Sequence, residues 1–78
     1  MSEVLLYSRP HCGLCDEARA TILAVRGRVA FEFREVDVTG DDALELEYGI
    51  RIPVVLVDGL ELAEIRVDAG ELEDAVRG

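Results

Sequence analysis

Two cysteines separated by two residues are the part of this sequence that could carry chemistry. Cys12 and Cys15 follow an apolar run at 4–6 and lie where a helical pattern starts, near Leu14. A strand that turns into a helix places both sulfurs at the helix N-terminus, where unpaired N–H groups and the positive dipole end favour a thiolate. The spacing therefore predicts a dithiol that exchanges disulfides.

The two sulfurs have different expected roles. Cys12 comes first, at the exposed helix mouth, and is the candidate nucleophile. Cys15 lies one helical turn further, on the same side as the apolar Ala18, so we expect it to be more buried and to resolve a mixed disulfide. Arg9 and His11 precede Cys12 and add positive potential near it.

Other interpretations of these residues stay open. Two inert core cysteines or half of a zinc site would have the same spacing, but a closed zinc site needs four ligands. The chain offers two cysteines and one histidine, so a metal would have to be shared across a dimer. His11 is equally well explained as a turn residue bonded to solvent, and Arg9 and Arg51 as solvated surface charges.

The composition indicates one acidic domain spanning residues 1–78. Half of the residues are apolar, which supports a single packed core. The net charge of −9, with eight arginines and no lysine, argues against nucleic acid and anionic membranes as partners. No apolar run approaches the roughly 18 residues of a membrane helix, and no signal-peptide pattern is present. We expect a monomer in the cytoplasm, where a redox pair is commoner than a structural disulfide.

Hydrophobic periodicity and turn residues divide the chain into seven elements in the order β-α-β-α-β-β-α. The expected strands cover 3–7, 29–38, 54–57 and 60–63, and the expected helices cover 13–26, 42–48 and 69–77. Asp58-Gly59 is typical of a tight hairpin turn, and Asp68 with Glu71 forms a helix-capping pattern. The order predicts an α/β fold, a four-stranded mixed sheet with helices on both faces.

The second strand region and the second proline carry more specific expectations. Phe31 and Phe33 share one strand face, and the parity shifts at Val36 and Val38, so we expect a bulge or an exit from the sheet there.

Pro53 cannot donate to a ladder and should open its strand. Base rates alone favour a trans bond before it, since only about 5–6% of X–Pro bonds are cis.

Three stretches of the chain resemble a known family. Tyr7-Ser8-Arg9-Pro10-His11-Cys12-x-x-Cys15 resembles the active-site signature of glutaredoxins, and Ile52-Pro53 before a hydrophobic strand resembles their cis-proline segment. Cys-Asp-Glu-Ala, Arg-Ile-Pro-Val and Val-Asp-Gly together are similar to a small bacterial glutaredoxin-like group. The resemblance spans nearly the whole chain and implies a glutaredoxin-type thioredoxin fold. It also implies, against the base rate, a cis Ile52–Pro53 bond that faces Cys12.

The resemblance also implies roles for individual residues. Cys12 would be the nucleophile and Cys15 the resolving thiol, Arg9 would meet a glutathione carboxylate, and the Ile52 backbone would pair with the peptide part of glutathione. Glutaredoxins usually have proline and tyrosine between the cysteines and a Gly-Gly pair after the hairpin. This chain has Gly13 and Leu14 between them and no such pair in 60–68. The candidate glutathione-binding residues are Arg9, His11, Arg51, Ile52, Pro53 and Asp68, with Asp68 partly replacing the missing pair.

The sequence thus predicts a thiol–disulfide oxidoreductase with Cys12 and Cys15 as catalytic residues and no bound cofactor. Glutathione is one candidate reductant, and electrons from a thioredoxin reductase are the alternative. The expected partner is a disulfide-containing protein or a glutathione mixed disulfide. Two other classes remain open. One is a protein-binding adaptor module in which the cysteines are incidental. The other is an iron–sulfur or zinc carrier that dimerises through Cys12.

Overall fold

The computed structural model describes residues 2–77, and its elements follow the predicted order. The strands are β1 (Glu3–Ser8), β2 (Glu32–Asp37), β3 (Val54–Val57) and β4 (Leu60–Glu64). The helices are α1 (Gly13–Arg26), α2 (Asp42–Tyr48) and α3 (Ala69–Arg77). The strands form one sheet in the order β2-β1-β3-β4. Because β1 and β2 are parallel and the other pairs antiparallel, the predicted mixed sheet is confirmed.

The main core lies between one face of the sheet and the helices α1 and α3. Side chains alternate along β1, so Val4 and Leu6 are fully buried on this face. The inner stripe of α1 and two residues of α3 cover them. The buried cluster includes Val4, Leu6, Ala18, Ile22, Val25, Phe31, Val55, Val57, Leu72 and Val76.

The other face of the sheet carries α2, which packs more thinly. None of the residues of α2 is buried, and its main contact is a stack of Tyr48 on Tyr7 with ring centroids 4.3 Å apart. Helices therefore cover both faces, as predicted. No helix in the described part of the chain is long and apolar enough to span a membrane.

The second strand is shorter than the predicted span of 29–38. The first residues of that span lie instead in the turn after α1, where the Val29 N–H donates to the Val25 carbonyl oxygen at 2.9 Å. The pairing of β1 with β2 is regular up to Asp37, and the chain then leaves the sheet and buries Val38. The parity shift thus marks an exit from the sheet.

The hairpin of β3 and β4 contains the irregularity that the sequence did not reveal. Asp58 and Gly59 both have positive φ, 52° and 85°, as a two-residue type I′ turn requires. The register shifts between Val55 and Leu56, which is a β-bulge or similar irregularity. All four residues of β3 are buried, and β4 forms the edge of the sheet, as predicted.

Replacing Ile22 with alanine tests the core. Ile22 is fully buried at the centre of α1, so Ile22→Ala should lower the free energy of unfolding by about 2–5 kcal/mol in urea titrations. Leu23 is its neighbour on the same helix and is 47% exposed, so Leu23→Ala should cost less than about 1 kcal/mol. Equal losses in the two variants would contradict the placement of α1.

Candidate functional site

The sulfur of Cys12 serves as the N-cap of α1. Cys12 has extended backbone angles, φ −114° and ψ 109°, and its Sγ accepts a hydrogen bond from the Cys15 N–H at 3.2 Å. Its carbonyl oxygen accepts the first helical bond, from the Asp16 N–H at 3.1 Å. The half-exposed sulfur therefore occupies the place where a serine or aspartate oxygen usually caps a helix.

The second sulfur lies behind the first, inside the protein. Cys15 is fully buried, as the sequence predicted, and both thiols are free. Burial is the main reason that the pKa of Cys15 rises to about 11, and the hydrogen bond and charge of Cys12 add to the shift. The Arg9 backbone and, more weakly, the Arg19 charge act in the opposite direction. Cys15 is accordingly a protonated thiol at neutral pH.

The turn before Cys12 is held to the end of α2 by Arg9. Its Nη2 donates to the Gly49 carbonyl oxygen at 3.0 Å and lies 3.6 Å from Glu45 Oε1. Its Nε is buried and has no hydrogen-bond partner among the described residues. A Cβ at position 49 would lie 2.4 Å from the Glu45 carbonyl oxygen. The backbone at the end of α2 therefore has room only for glycine at this position. The guanidinium predicted to bind a ligand carboxylate thus already joins two parts of the site.

His11 lies in the same turn, directly before the nucleophile candidate. It is exposed and has a φ of 58°, in the left-handed region that histidine adopts more readily than most residues. This conformation allows the chain to turn sharply from β1 into the N-cap. Its predicted contact with glutathione stays a prediction.

Arg51 is engaged away from the thiols, on the side of β4. Its guanidinium donates to both Glu61 oxygens, at 2.9 and 3.1 Å, and to Glu64 at 3.3 Å. It also lies 5.4 Å from the ring centroid of Tyr48, and it holds the pKa of the Glu61 carboxyl below its usual range. A ligand carboxylate would have to compete with these two internal carboxylates.

The segment expected to face the thiols has the predicted backbone. The Ile52–Pro53 bond is cis, and the Pro53 carbonyl oxygen accepts from the Ile65 N–H at 2.7 Å. Ile65 has a φ of 69°, which is rare for a β-branched residue. Asp68 Oδ1 caps α3 by accepting from the Gly70 N–H at 2.7 Å, so the predicted cap is confirmed.

A groove of about 140 Å³ runs between α1 and the segment that follows β4. Leu14, which stands between the two cysteines, forms one wall, and Ile65 forms another. Arg66 and Glu17 form an ion pair at 3.7 Å beside it. The groove is thus lined by Leu14 of the motif and by residues 65–67, which precede Asp68.

Sequence reasoning missed three residues on the other side of α1. Ser8 Oγ donates to Glu35 Oε2 at 2.7 Å, and Arg19 Nε donates to Glu35 Oε1 at 2.7 Å. Arg19 also pairs with Asp16 at 2.8 Å, and its hydrogen bonds hold the pKa of the Glu35 carboxyl below its usual range. The available signal was strand parity, which puts Glu35 on the same face of β2 as the half-buried Phe33.

An open cleft of about 340 Å³ lies beside the turn. It is lined by Ser8, Arg9, Pro10, Arg19, Glu35 and Asp37. The site is thus flanked by this charged cleft and by the narrower groove. Among residues 2–77, no three His, Cys, Asp or Glu side chains are grouped in a way that could hold a metal ion.

Comparison with known proteins gives a family match. The sequence profile of the Glutaredoxin-like domain family (DUF836) matches residues 3–77. An uncharacterized protein of Mycobacterium tuberculosis is 32% identical over 75 residues, which cover 90% of this chain and 77% of the relative. The match therefore extends over almost the whole of this chain.

Solved structures agree on the fold. The crystal structure of protein XcR50 from X. campestris is 38% identical and has a TM-score of 0.78, covering 91% of each chain. Protein Ne2328 from Nitrosomonas europaea has a TM-score of 0.84 at 23% identity, covering 96% of this chain and 91% of the neighbour. A mutant thioredoxin from Halobacterium salinarum has a TM-score of 0.70 at 21% identity, covering 97% and 72%. The last two show the fold alone.

The raised pKa of Cys15 makes stability depend on pH. Between pH 9 and 11 the native state binds more protons at this thiol than the unfolded chain, so stability should fall as pH rises. The two-unit shift corresponds to roughly 2–3 kcal/mol. Urea unfolding of the reduced protein across this window should show the loss relative to Cys15→Ala, and parallel curves for the two proteins would contradict it.

Proposed function

We propose that this chain, which belongs to the Glutaredoxin-like domain (DUF836) family, exchanges thiols and disulfides through Cys12 and Cys15. One observation carries the proposal. The half-exposed Cys12 Sγ lies 3.2 Å from the backbone nitrogen of the buried Cys15, so an accessible sulfur has a second sulfur close behind it. A dithiol arranged in this way can attack a disulfide with one sulfur and release the product with the other.

The first step is attack by the Cys12 thiolate on one sulfur of a substrate disulfide. The new bond joins Cys12 to that sulfur, and the other substrate sulfur leaves as a thiolate that takes a proton from water. The Cys15 thiol then loses its proton and attacks Cys12 Sγ, which releases the second substrate thiol. The substrate gains two electrons and two protons, and the protein ends with a Cys12–Cys15 disulfide.

The environment of Cys15 suits this order of events. The charge of Cys12 is one cause of the high pKa of Cys15, along with burial. When Cys12 is bonded in a mixed disulfide it carries no charge, so this contribution disappears and Cys15 loses its proton more readily. The mixed disulfide thus removes one of the smaller causes of the raised pKa of Cys15, while burial, the main cause, remains.

Glutathione is the reductant that we propose for returning two electrons to the oxidised protein. Arg9 supplies a guanidinium beside the motif, Ile52 a backbone for pairing, and Asp68 an acceptor for the glutamyl ammonium. The proposed partner is a protein disulfide or a glutathione mixed disulfide. The proposed location is the cytoplasm, where a pair of cysteines serves redox chemistry more often than stability.

Single serine variants test the roles of the two sulfurs. Cys12→Ser should abolish reduction of a glutathione mixed disulfide, because no sulfur is left at the exposed position. Cys15→Ser should retain attack but lose resolution, so that mixed disulfides accumulate. Mass spectrometry of the trapped adduct and turnover assays measure the two effects, and equal loss in both variants without an adduct would point to an adaptor or carrier instead.

Replacing Arg9 with alanine tests the glutathione site. Arg9→Ala should raise the KM for glutathione roughly tenfold, the loss of one charge-assisted pair, and should weaken its dependence on salt. Turnover of a small uncharged disulfide with dithiothreitol should hardly change. Arg34→Ala removes the same charge from the edge strand β2 and serves as control. Unchanged glutathione kinetics in Arg9→Ala would leave a thioredoxin reductase as the reductant to test.

A further inference from the structure

Two large apolar side chains, one in α2 and one in the turn directly after it, are exposed to solvent. Leu46 is 90% exposed and Ile50 is 95% exposed. Helical backbone geometry continues through Gly49, with φ −54° and ψ −36°, so residues four apart lie on one face. The two side chains therefore form a small apolar surface, named here the α2 patch, that no other part of the described chain covers.

The α2 patch adjoins the proposed redox site. The Gly49 carbonyl oxygen, which lies between the two residues in sequence, is bonded to Arg9 in the turn that leads to Cys12. Ile50 is also two residues before the cis-proline segment Ile52-Pro53. A substrate whose disulfide reaches Cys12 would pass close to this surface.

Charge around the α2 patch is negative. Residues 41–48 contain four carboxylates and no basic residue. Asp42 lies one helical turn before Leu46 on the same face, and Glu47 is exposed beside it. The nearest guanidinium groups, those of Arg9 and Arg51, already contact internal acceptors.

We propose that the α2 patch docks a segment of a protein disulfide substrate in which apolar side chains are flanked by lysine or arginine. Apolar contact with Leu46 and Ile50 would supply affinity, and the carboxylates of α2 would steer the cationic segment to the site. A second copy of this chain is a poor occupant, because pairing two α2 faces would oppose like charges. This inference rests on the proposed function and names the substrate class of the same site.

The test compares two disulfide peptides and one small disulfide. Both peptides carry the same disulfide-bonded cysteine and differ in the residues beside it. These residues are leucine and lysine in one peptide and serine and glutamate in the other. In the double variant Leu46→Gln/Ile50→Gln, kcat/KM for the leucine–lysine peptide should fall roughly tenfold through KM. Turnover of hydroxyethyl disulfide should be unchanged.

Leu60→Gln is the matched control. Leu60 is 76% exposed and follows the hairpin turn, where Asp58 is bonded to Glu3 at the end of β1 remote from the thiols. Its substitution should leave kcat/KM for both peptides unchanged. In the wild type, added salt should slow the reduction of the leucine–lysine peptide but not the reduction of hydroxyethyl disulfide.

Other results would overturn the proposal. It is contradicted if the wild type reduces both peptides with equal kinetics, or if Leu46→Gln/Ile50→Gln loses activity equally on all substrates. It is also contradicted if sedimentation shows a dimer that this variant abolishes. Should the wild type reduce no disulfide at all, the proposed function fails, and docking is decided separately. Binding of the labelled peptides to Cys12→Ser/Cys15→Ser is then measured by fluorescence anisotropy. The leucine–lysine peptide should still bind more tightly than the other peptide. Adding Leu46→Gln/Ile50→Gln to this protein should abolish the difference.

Discussion

The packing of α1 against β1 is the constraint on which the site depends. Val4 and Leu6 of the strand meet Ile22 and Val25 of the helix in the main core, so the helix axis is fixed by burial. Only residues 9–12 separate the end of the strand from the start of the helix. With both ends held by the core, the intervening turn has little freedom, and the sulfur of Cys12 is placed at the helix N-terminus.

The same packing gives the two cysteines different environments. Cys12 is the half-exposed cap, whereas Cys15 is one turn further on the face that packs into the core. Beside them, Glu35 joins Ser8 and Arg19, which ties the second turn of α1 to β2. A carboxylate on this face is tolerated because an arginine and a hydroxyl satisfy it. These contacts hold the second turn of α1, four residues after Cys15, against β1 and β2.

Local signals predicted most of the fold. The bounds of all three helices follow from caps and apolar spacing, and the hairpin follows from Asp58-Gly59. The shorter β2 and the register shift of the hairpin depend on how strands pair, which neighbours in sequence do not determine. The partners of Arg9 and Glu35 are 40 and 27 residues away, so the sequence marked Arg9 as a site residue without its contact to α2 and missed Glu35.

The arginines bear on how an acidic protein could attract the proposed cationic substrate and still use the proposed anionic reductant. Seven of the eight form ion pairs with carboxylates in the described structure, and Arg26 donates to the Phe31 carbonyl oxygen. Their charge is thus largely neutralised locally, and the excess carboxylates dominate the field at a distance. An anionic tripeptide, the proposed reductant, would gain nothing from that field and would rely on short-range contacts such as that with Arg9. A cationic protein segment is attracted from further away, so the two would reach the same sulfur by different routes.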